Sequence, residues 1–533
     1  MTGPRSTVVG DTGRLRLVLA VVAVVTFTIR FVPLAASGML SAEYGYDDGV
    51  HLSLAEHLIA GQLPYRDVLF VHPPGIALAL APAAALARVI GDPGALAAGR
   101  LLVTIVGVLN AALVVWILRR RGLVAAATGG LAYAFWGPAI AAERSIYLEP
   151  FIGLGLLVAL AALARRRDGS TAATSARPGG GMLAVAGIAL GVAVTFKVWV
   201  VLDLAVVGLL VLARHGVRGA VRWVGWVLVG AAPILLPFAW AAPRAMWDDV
   251  VLAQVGRPRT AGLLHERIAA LDPSTHRGAA VAAVTVVLVL VAIVAAAVRV
   301  ARRAGHLPAR ENPAGWARSL RWPRPSRWPD PAWWAIAAVV HLGALVAAPS
   351  YYLHYTAFLA PPICLLAGAA VGAVAVRVHR SQRVAVRVVG AGGLVLALTG
   401  VALTFPALPS GPREDRALLA GLTRTGCTWS ENPSYLLVAD AQTRAIAAGC
   451  PGQPDLFGTV MTERGGYPVP GTDGPSETVV QMVERQLAAS RTVLLPAGAP
   501  EAWLDPALIA YVHGAFSRVA TTGNIAVWQR PSG

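Results

Sequence analysis

Apolar runs of about 20 residues recur along the first three quarters of this 533-residue chain. Each is long enough to cross the ~30 Å hydrocarbon core of a bilayer as a helix. No water is present there to satisfy backbone amides and carbonyls, so such runs have to be helical. Only 14% of the residues are charged, against roughly 25% in soluble domains, and the mean hydropathy is +0.62. The sequence therefore predicts an all-α polytopic membrane protein with a small soluble α/β domain at its C-terminal end.

The formal net charge of +17 raises the question of nucleic acid, and the charge pattern excludes it. The cations sit in short clusters between apolar runs, as a positive-inside bias requires. They fall at 119–121, 165–167, 214–222, 299–327 and 377–387. Arg14 and Arg16 stand at the start of the first run, 15–36, and put the N-terminus in the cytoplasm. The next loop is acidic, with Glu43, Asp47, Asp48, Glu56 and Asp67 against Arg66 alone, and suits the outside. The stretch 75–90 is short, follows Pro73 and Pro74 and contains Pro82, so it reads as an interfacial helix. Counting it as a span would invert everything downstream. Left out, it makes all five cation clusters cytoplasmic. The further spans are 97–118, 122–138, 146–164, 182–196, 198–213, 222–241, 280–300, 332–349, 356–376 and 388–406. That gives about eleven spans across a plasma (inner) membrane, with the C-terminus outside. The segment 301–331, with Trp316, Trp322 and Trp328, reads as a cytoplasmic loop against anionic headgroups. Gly187 and Gly191 have the small-xxx-small spacing of close helix packing.

Composition divides the chain into a transmembrane domain over 1–406 and a soluble domain over 407–533. In the latter, β-like runs at Tyr435–Val438 and Val493–Leu495 flank a helical pattern at 476–490, and 516–530 reads as a hairpin. Cys364 lies in an apolar run and reads as a core residue. Cys427 and Cys450 are disulfide candidates if the tail faces an oxidising compartment. The first apolar run is too long for a cleavable signal peptide.

The residues suited to chemistry share one side. The first outer loop reads Tyr44-Gly45-Tyr46-Asp47-Asp48-Gly49-Val50-His51, followed by a helical pattern that sets Val50, Leu54 and Leu58 on one face. The acids thus stand at a helix N-terminus, where the dipole stabilises negative charge. A capping role accounts for one Asp. A second, beside a membrane surface, suits a general base acting on a hydroxyl. Arg66 and His72 follow in the next turns, before Pro73-Pro74-Gly75. Glu149 stands at the mouth of a span, where a carboxylate signals function by default; pairing with Arg144 is the structural alternative. Lys197 is the single Lys among 45 Lys and Arg residues. It lies between two apolar runs at their outer ends, where an ammonium can hold a phosphate or simply snorkel. In the turn Tyr351-Tyr352-Leu353-His354-Tyr355, an aromatic belt accounts for the tyrosines and His354 is a candidate phosphate donor. Arg257, Arg259, His265 and Arg267 lie on the side that cations avoid, which an anionic ligand would explain. Together these residues describe a site for a phosphate-bearing lipid with a carboxylate base. A transporter or flippase of lipid-linked sugars and a non-catalytic cell-envelope scaffold are the competing readings. Transporters place charge near the midplane between paired repeats, whereas here charge lies at outer ends and no repeat is visible. No His/Cys cluster has ligand spacing, and the two Asp leave a divalent metal open.

In this order the residues resemble the GT-C membrane glycosyltransferases, in the aminoarabinose transferase and protein mannosyltransferase branch, over about 15–375. The resemblance is carried by the acidic pair with its helix, a Gly-x-x-Pro-like turn and a Pro-containing interfacial helix. Glu149-Pro150-Phe151, Lys197 between two spans, and Tyr355 ahead of Pro361-Pro362 extend it. The resemblance implies a polyprenyl-phosphate sugar as donor and a glycan, lipid or protein as acceptor. It implies Asp47 as base with Asp48 as its acidic neighbour, Glu149 as the second acid, and Lys197 on the donor phosphate. The aminoarabinose enzymes have a Lys where His72 stands. The implied reaction is a single displacement with inversion at the anomeric carbon.

Overall fold

The computed structural model describes residues 7–164, 180–256, 330–349, 352–379, 413–466, 469, 477–498 and 504–531. Arg257, Arg259, His265, Arg267, the runs 280–300 and 388–406, and nearly all of 301–331 lie outside the described residues.

The membrane part is built from α1 (Thr7–Ser37), α2 (Tyr46–Ile59), α3 (Gly75–Leu118), α4 (Leu123–Ala134), α5 (Gly137–Arg144), α6 (Glu149–Leu163), α7 (Gly180–Ala193) and α8 (Val200–Ala241), with the later helices Asp330–Ala347 and Ala360–His379. Among the described residues, five helices are long and apolar enough to cross a membrane, or six if the bent pair α4 and α5 counts as one. The coding is direct, since α6 and α7 carry no charged residue beyond Glu149 at the first position of α6.

At 1.5 Å per residue, the 44 residues of α3 would span about 66 Å if straight, far more than a bilayer. The helix breaks at Gly91, whose φ of 75° and ψ of 166° are non-helical and which glycine adopts at little steric cost. The 42-residue α8 breaks likewise at Gly216. The two ends of 75–90 are held by different parts of the chain. The amide of Gly75 donates to the Thr195 carbonyl at 2.7 Å, and the amide of Asp92 donates to Asp440 at 2.8 Å. Close packing is visible where α7 meets α8: a Cβ on Gly191 would lie 2.1 Å from the carbonyl oxygen of Val227.

One pair of charges is buried inside the bundle. Arg30 bonds Glu143, which also accepts from the Tyr133 hydroxyl at 2.7 Å. Such burial is tolerated only when the partners are well placed.

The C-terminal unit is a four-stranded mixed sheet of order β1-β2-β4-β3, with β1 Cys427–Ser430, β2 Ser490–Pro496, β3 Ser517–Thr522 and β4 Ile525–Gln529. β1 runs parallel to β2 and the other pairs are antiparallel, so β3 and β4 form a hairpin. A helix, Val479–Ala489, covers the sheet through Met482, Val483 and Leu487. The β-like run at Tyr435–Val438 is instead the helix Pro433–Val438. Pro433 fits a first turn, and the Asn432 side chain accepts from the Ser434 amide, so local capping overrides the apolar alternation. Cys427 and Cys450 form a disulfide with Cα atoms 5.5 Å apart, and Cys364 is free and buried.

This unit sits directly on α2. The Ser434 hydroxyl donates to the Gly45 carbonyl at 2.6 Å and accepts from the Gly49 amide at 3.0 Å. Gln442 donates to Ser53 at 2.8 Å, and Thr443 bonds Asp92.

Candidate active site

Three consecutive residues at the start of α2 point to three different neighbours. Tyr46 is fastened to the soluble unit: its hydroxyl lies 3.3 Å from Asp455 Oδ1 and accepts from the Phe457 amide at 2.8 Å. Asp48 is fastened to the membrane bundle. It is fully buried, with Oδ2 accepting from Arg100 Nε at 2.9 Å and from Arg100 Nη2, while Oδ1 accepts from the Ser145 hydroxyl and the Ile146 amide. The carbonyl of Ile146 in turn accepts from His51 Nδ1 at 2.5 Å. Asp47, between them, keeps a side chain 36% exposed, and its Oδ2 stands 3.8 Å from His354 Nε2. Neither acid is the N-cap of α2. That residue is Gly45, which has no side-chain cap.

From Asp47 a continuous wall runs to Lys197. His354 stacks on Tyr147 at 4.0 Å and meets the edge of Tyr355 at 4.7 Å. Lys197 Nζ lies 4.0 Å from the Tyr355 ring centre and 4.9 Å from that of Trp199, within cation–π range. Lys197 also donates to Glu149 Oε1 at 2.5 Å, with both side chains buried, so the partner of Glu149 is Lys197. Arg144 instead donates to the Ile29 carbonyl at 2.9 Å. The second oxygen of Glu149 has no hydrogen-bond partner among the described residues.

His72 stands in the turn that leads into Gly75, its ring against Phe70 at 5.7 Å and its carbonyl accepting from the Tyr65 hydroxyl at 2.6 Å. Through the Gly75–Thr195 bond this turn abuts the segment bearing Lys197. Arg66 lies on the surface, paired with Asp67 at 2.7 Å. The structure thus brings Asp47, Glu149, Lys197, His354 and Tyr355 together, sets Asp48 behind them, and leaves Arg66 in an exposed pair.

Carboxyls outside the spans, Glu43 and Asp249 among them, are held towards the neutral form. Burial, helped by the charges of Glu414 and Asp48 and opposed by Arg100, pushes Glu43 up to about 7. Burial, with Asp248 and Asp455 adding repulsion, pushes Asp249 up to about 8. Both oxygens of Asp249 lack partners among the described residues. Among the described residues no group of three or more His, Cys, Asp or Glu side chains could hold a metal ion. The oxygens of Asp48 already accept from Arg100, Ser145 and Ile146.

No family model and no curated protein matches the sequence. Solved structures match by shape. ArnT, the aminoarabinose transferase, from Cupriavidus metallidurans bound to undecaprenyl phosphate gives a TM-score of 0.55 at 14% identity, covering 97% of this chain and 98% of that one. Its apo form gives 0.57 at 15%, over the same shares. The Archaeoglobus fulgidus oligosaccharyltransferase tethered to an acceptor peptide gives 0.53 at 13%, over 90% of this chain and 69% of that one. The chain has the GT-C fold.

On this GT-C scaffold several participants escaped the reading by sequence. Arg100 is a lone cation near the start of an apolar run, and an ionisable group in such a place is a signal in itself. The same signal marks Asp203 and His341, which pair at 2.7 Å inside the bundle. Tyr46, Ser434 and Asp455 carried no signal, because their roles depend on a domain contact across roughly 390 to 410 residues of sequence.

Proposed function

We propose that this chain is an inverting glycosyltransferase that moves a sugar from a polyprenyl-phosphate donor to a glycan, lipid or protein acceptor at the outer face of a plasma (inner) membrane. The observation that carries this reading is the wall joining the half-exposed Asp47 to Lys197 through His354 and Tyr355. It offers a base and an anion-binding cation a short distance apart, on a scaffold shared with ArnT.

In the proposed step the acceptor oxygen attacks the anomeric carbon as the bond from that carbon to the phosphate oxygen breaks. The acceptor proton passes to the Asp47 carboxylate. The bonding pair leaves with the phosphate, whose charge Lys197 stabilises. Stabilisation of a developing anion by a preorganised cation is often the largest catalytic contribution, on the order of several kcal/mol. Asp48 acts indirectly by fixing the first turn of α2 to Ile146, and Glu149 orients Lys197. His354 and Tyr355 form the wall, and His72 lines the approach beside Thr195. Arg257 and Arg259 complete the proposed phosphate-binding set.

The reading includes a transmembrane catalytic domain over 1–406 with about eleven spans and a cytoplasmic N-terminus, and an extracytoplasmic domain over 407–533. The Cys427–Cys450 disulfide supports an oxidising surround for the latter. Purified protein in proteoliposomes with radiolabelled polyprenyl-phosphate sugars tests the assignment. Label appearing on an acceptor extract supports a transferase. Label crossing the bilayer on its lipid would mean a flippase, and neither event would mean a scaffold.

A further inference from the structure

One buried pair takes no part in the chemistry above. The imidazole of His341, on the helix Asp330–Ala347, lies 2.7 Å from Asp203 Oδ1 through Nε2 and 2.9 Å from the Phe358 carbonyl through Nδ1. Its ring stacks on that of Phe358 at 3.6 Å. Neither His341 nor Asp203 is exposed, and Asp203 Oδ2 has no hydrogen-bond partner among the described residues. A carbonyl only accepts, so Nδ1 donates. Nε2 then faces Asp203 Oδ1 at hydrogen-bond distance. Placing two polar groups in the bundle costs several kcal/mol unless they satisfy each other, and residues of this kind in spans mark function by default.

The segments this pair ties together give it its purpose. Phe358 belongs to the 3₁₀ turn Leu353–Leu359, which carries His354 and Tyr355. Asp203 lies in the first turn of α8, six residues after Lys197. Between them Trp199 packs on Tyr355 at 4.7 Å and on Phe358 at 5.8 Å. We propose that His341 and Asp203 are positioning residues that lock the Leu353–Leu359 turn to the start of α8, so that His354 meets Asp47 and Tyr355 meets Lys197. The inference rests on the transferase reading, and its test includes a binding arm that does not.

The variants are His341→Phe, Asp203→Leu and Asp203→Asn in the full-length protein in nanodiscs. Phe keeps the ring on Phe358 and loses both hydrogen bonds. Asn can donate to Nε2 of a neutral imidazole whose Nδ1 still bonds Phe358. We expect kcat to fall about tenfold or more in His341→Phe and Asp203→Leu, since small displacements at a reacting centre have large effects, and Asp203→Asn to stay within about threefold of wild type. Affinity for undecaprenyl phosphate alone should weaken in the first two and hold in the third. That arm reads the placement of Lys197 even if no transfer is found, so loss of transfer in the wild type would sink the proposed function and leave this inference standing. Wild-type kcat and lipid-phosphate affinity in a folded His341→Phe, with only the melting temperature lowered, would overturn it. If His341→Phe does not fold, equal behaviour of Asp203→Leu and Asp203→Asn would overturn it instead.

Discussion

Arg100 holds Asp48 through Nε at 2.9 Å and through Nη2, with both side chains wholly buried. One member of the acidic pair is therefore committed to structure, while its neighbour Asp47 faces the site. Removing one partner of a buried pair strands the other charge and costs about 3–5 kcal/mol. Asp48→Ala should lower the unfolding temperature sharply in nanodiscs. Asp48→Leu combined with Arg100→Met should recover much of the loss. A folded Asp48→Ala with wild-type stability would show that the pair contributes nothing.

Asp47→Asn should behave in the opposite way. Its melting temperature should match wild type, and transfer should fall by about 100-fold or more, the typical range for losing a general base. Initial rates with a labelled donor check this. Near-normal turnover would remove Asp47 from the mechanism.

Lys197 and Glu149 share one hydrogen bond at 2.5 Å, so truncating either strands a buried charge. Lys197→Met should weaken binding of undecaprenyl phosphate and also destabilise the fold. Adding Glu149→Gln should restore stability without restoring binding, which separates the phosphate role from the structural one. Equilibrium binding and thermal unfolding of the single and double variants supply the comparison.

Asp249, raised to about 8 mainly by burial, gives a stability profile of known sign. An unfolded Asp titrates near 4. The neutral form favoured by the fold thus contributes fully below about pH 4, and that contribution is lost progressively as pH rises to about 8. Asp249→Asn should leave stability at pH 4 nearly unchanged and raise it relative to wild type at pH 8 to 9. Parallel melting curves for the two proteins across that window would contradict the assignment.

The disulfide between Cys427 and Cys450, 23 residues apart, closes the start of β1 onto the segment before Asp455. Cross-links of this loop size contribute about 2–4 kcal/mol. Cys427→Ser should lower the melting temperature and make it insensitive to reductant, whereas the wild type should fall to a similar value once reduced.

Hydropathy and the spacing of charge are enough to fix a bundle of apolar helices with a small α/β unit at its end, because each property is local. Burying 20 apolar residues or clustering arginines needs no knowledge of the rest of the chain. The same locality made Asp47, Glu149, Lys197 and His354 candidates, since each is a polar group at the end of an apolar run. What separates Asp47 from Asp48 is not local. The two are adjacent and chemically identical, and they differ only because α2 turns one towards Arg100 and the other towards His354. The Glu149–Lys197 bond joins residues 48 positions apart, and the Ser434 contact to α2 joins residues 389 apart. No sequence period specifies such pairings. They arise when the breaks at Gly91 and Gly216 fold the long helices back and the C-terminal unit settles on α2.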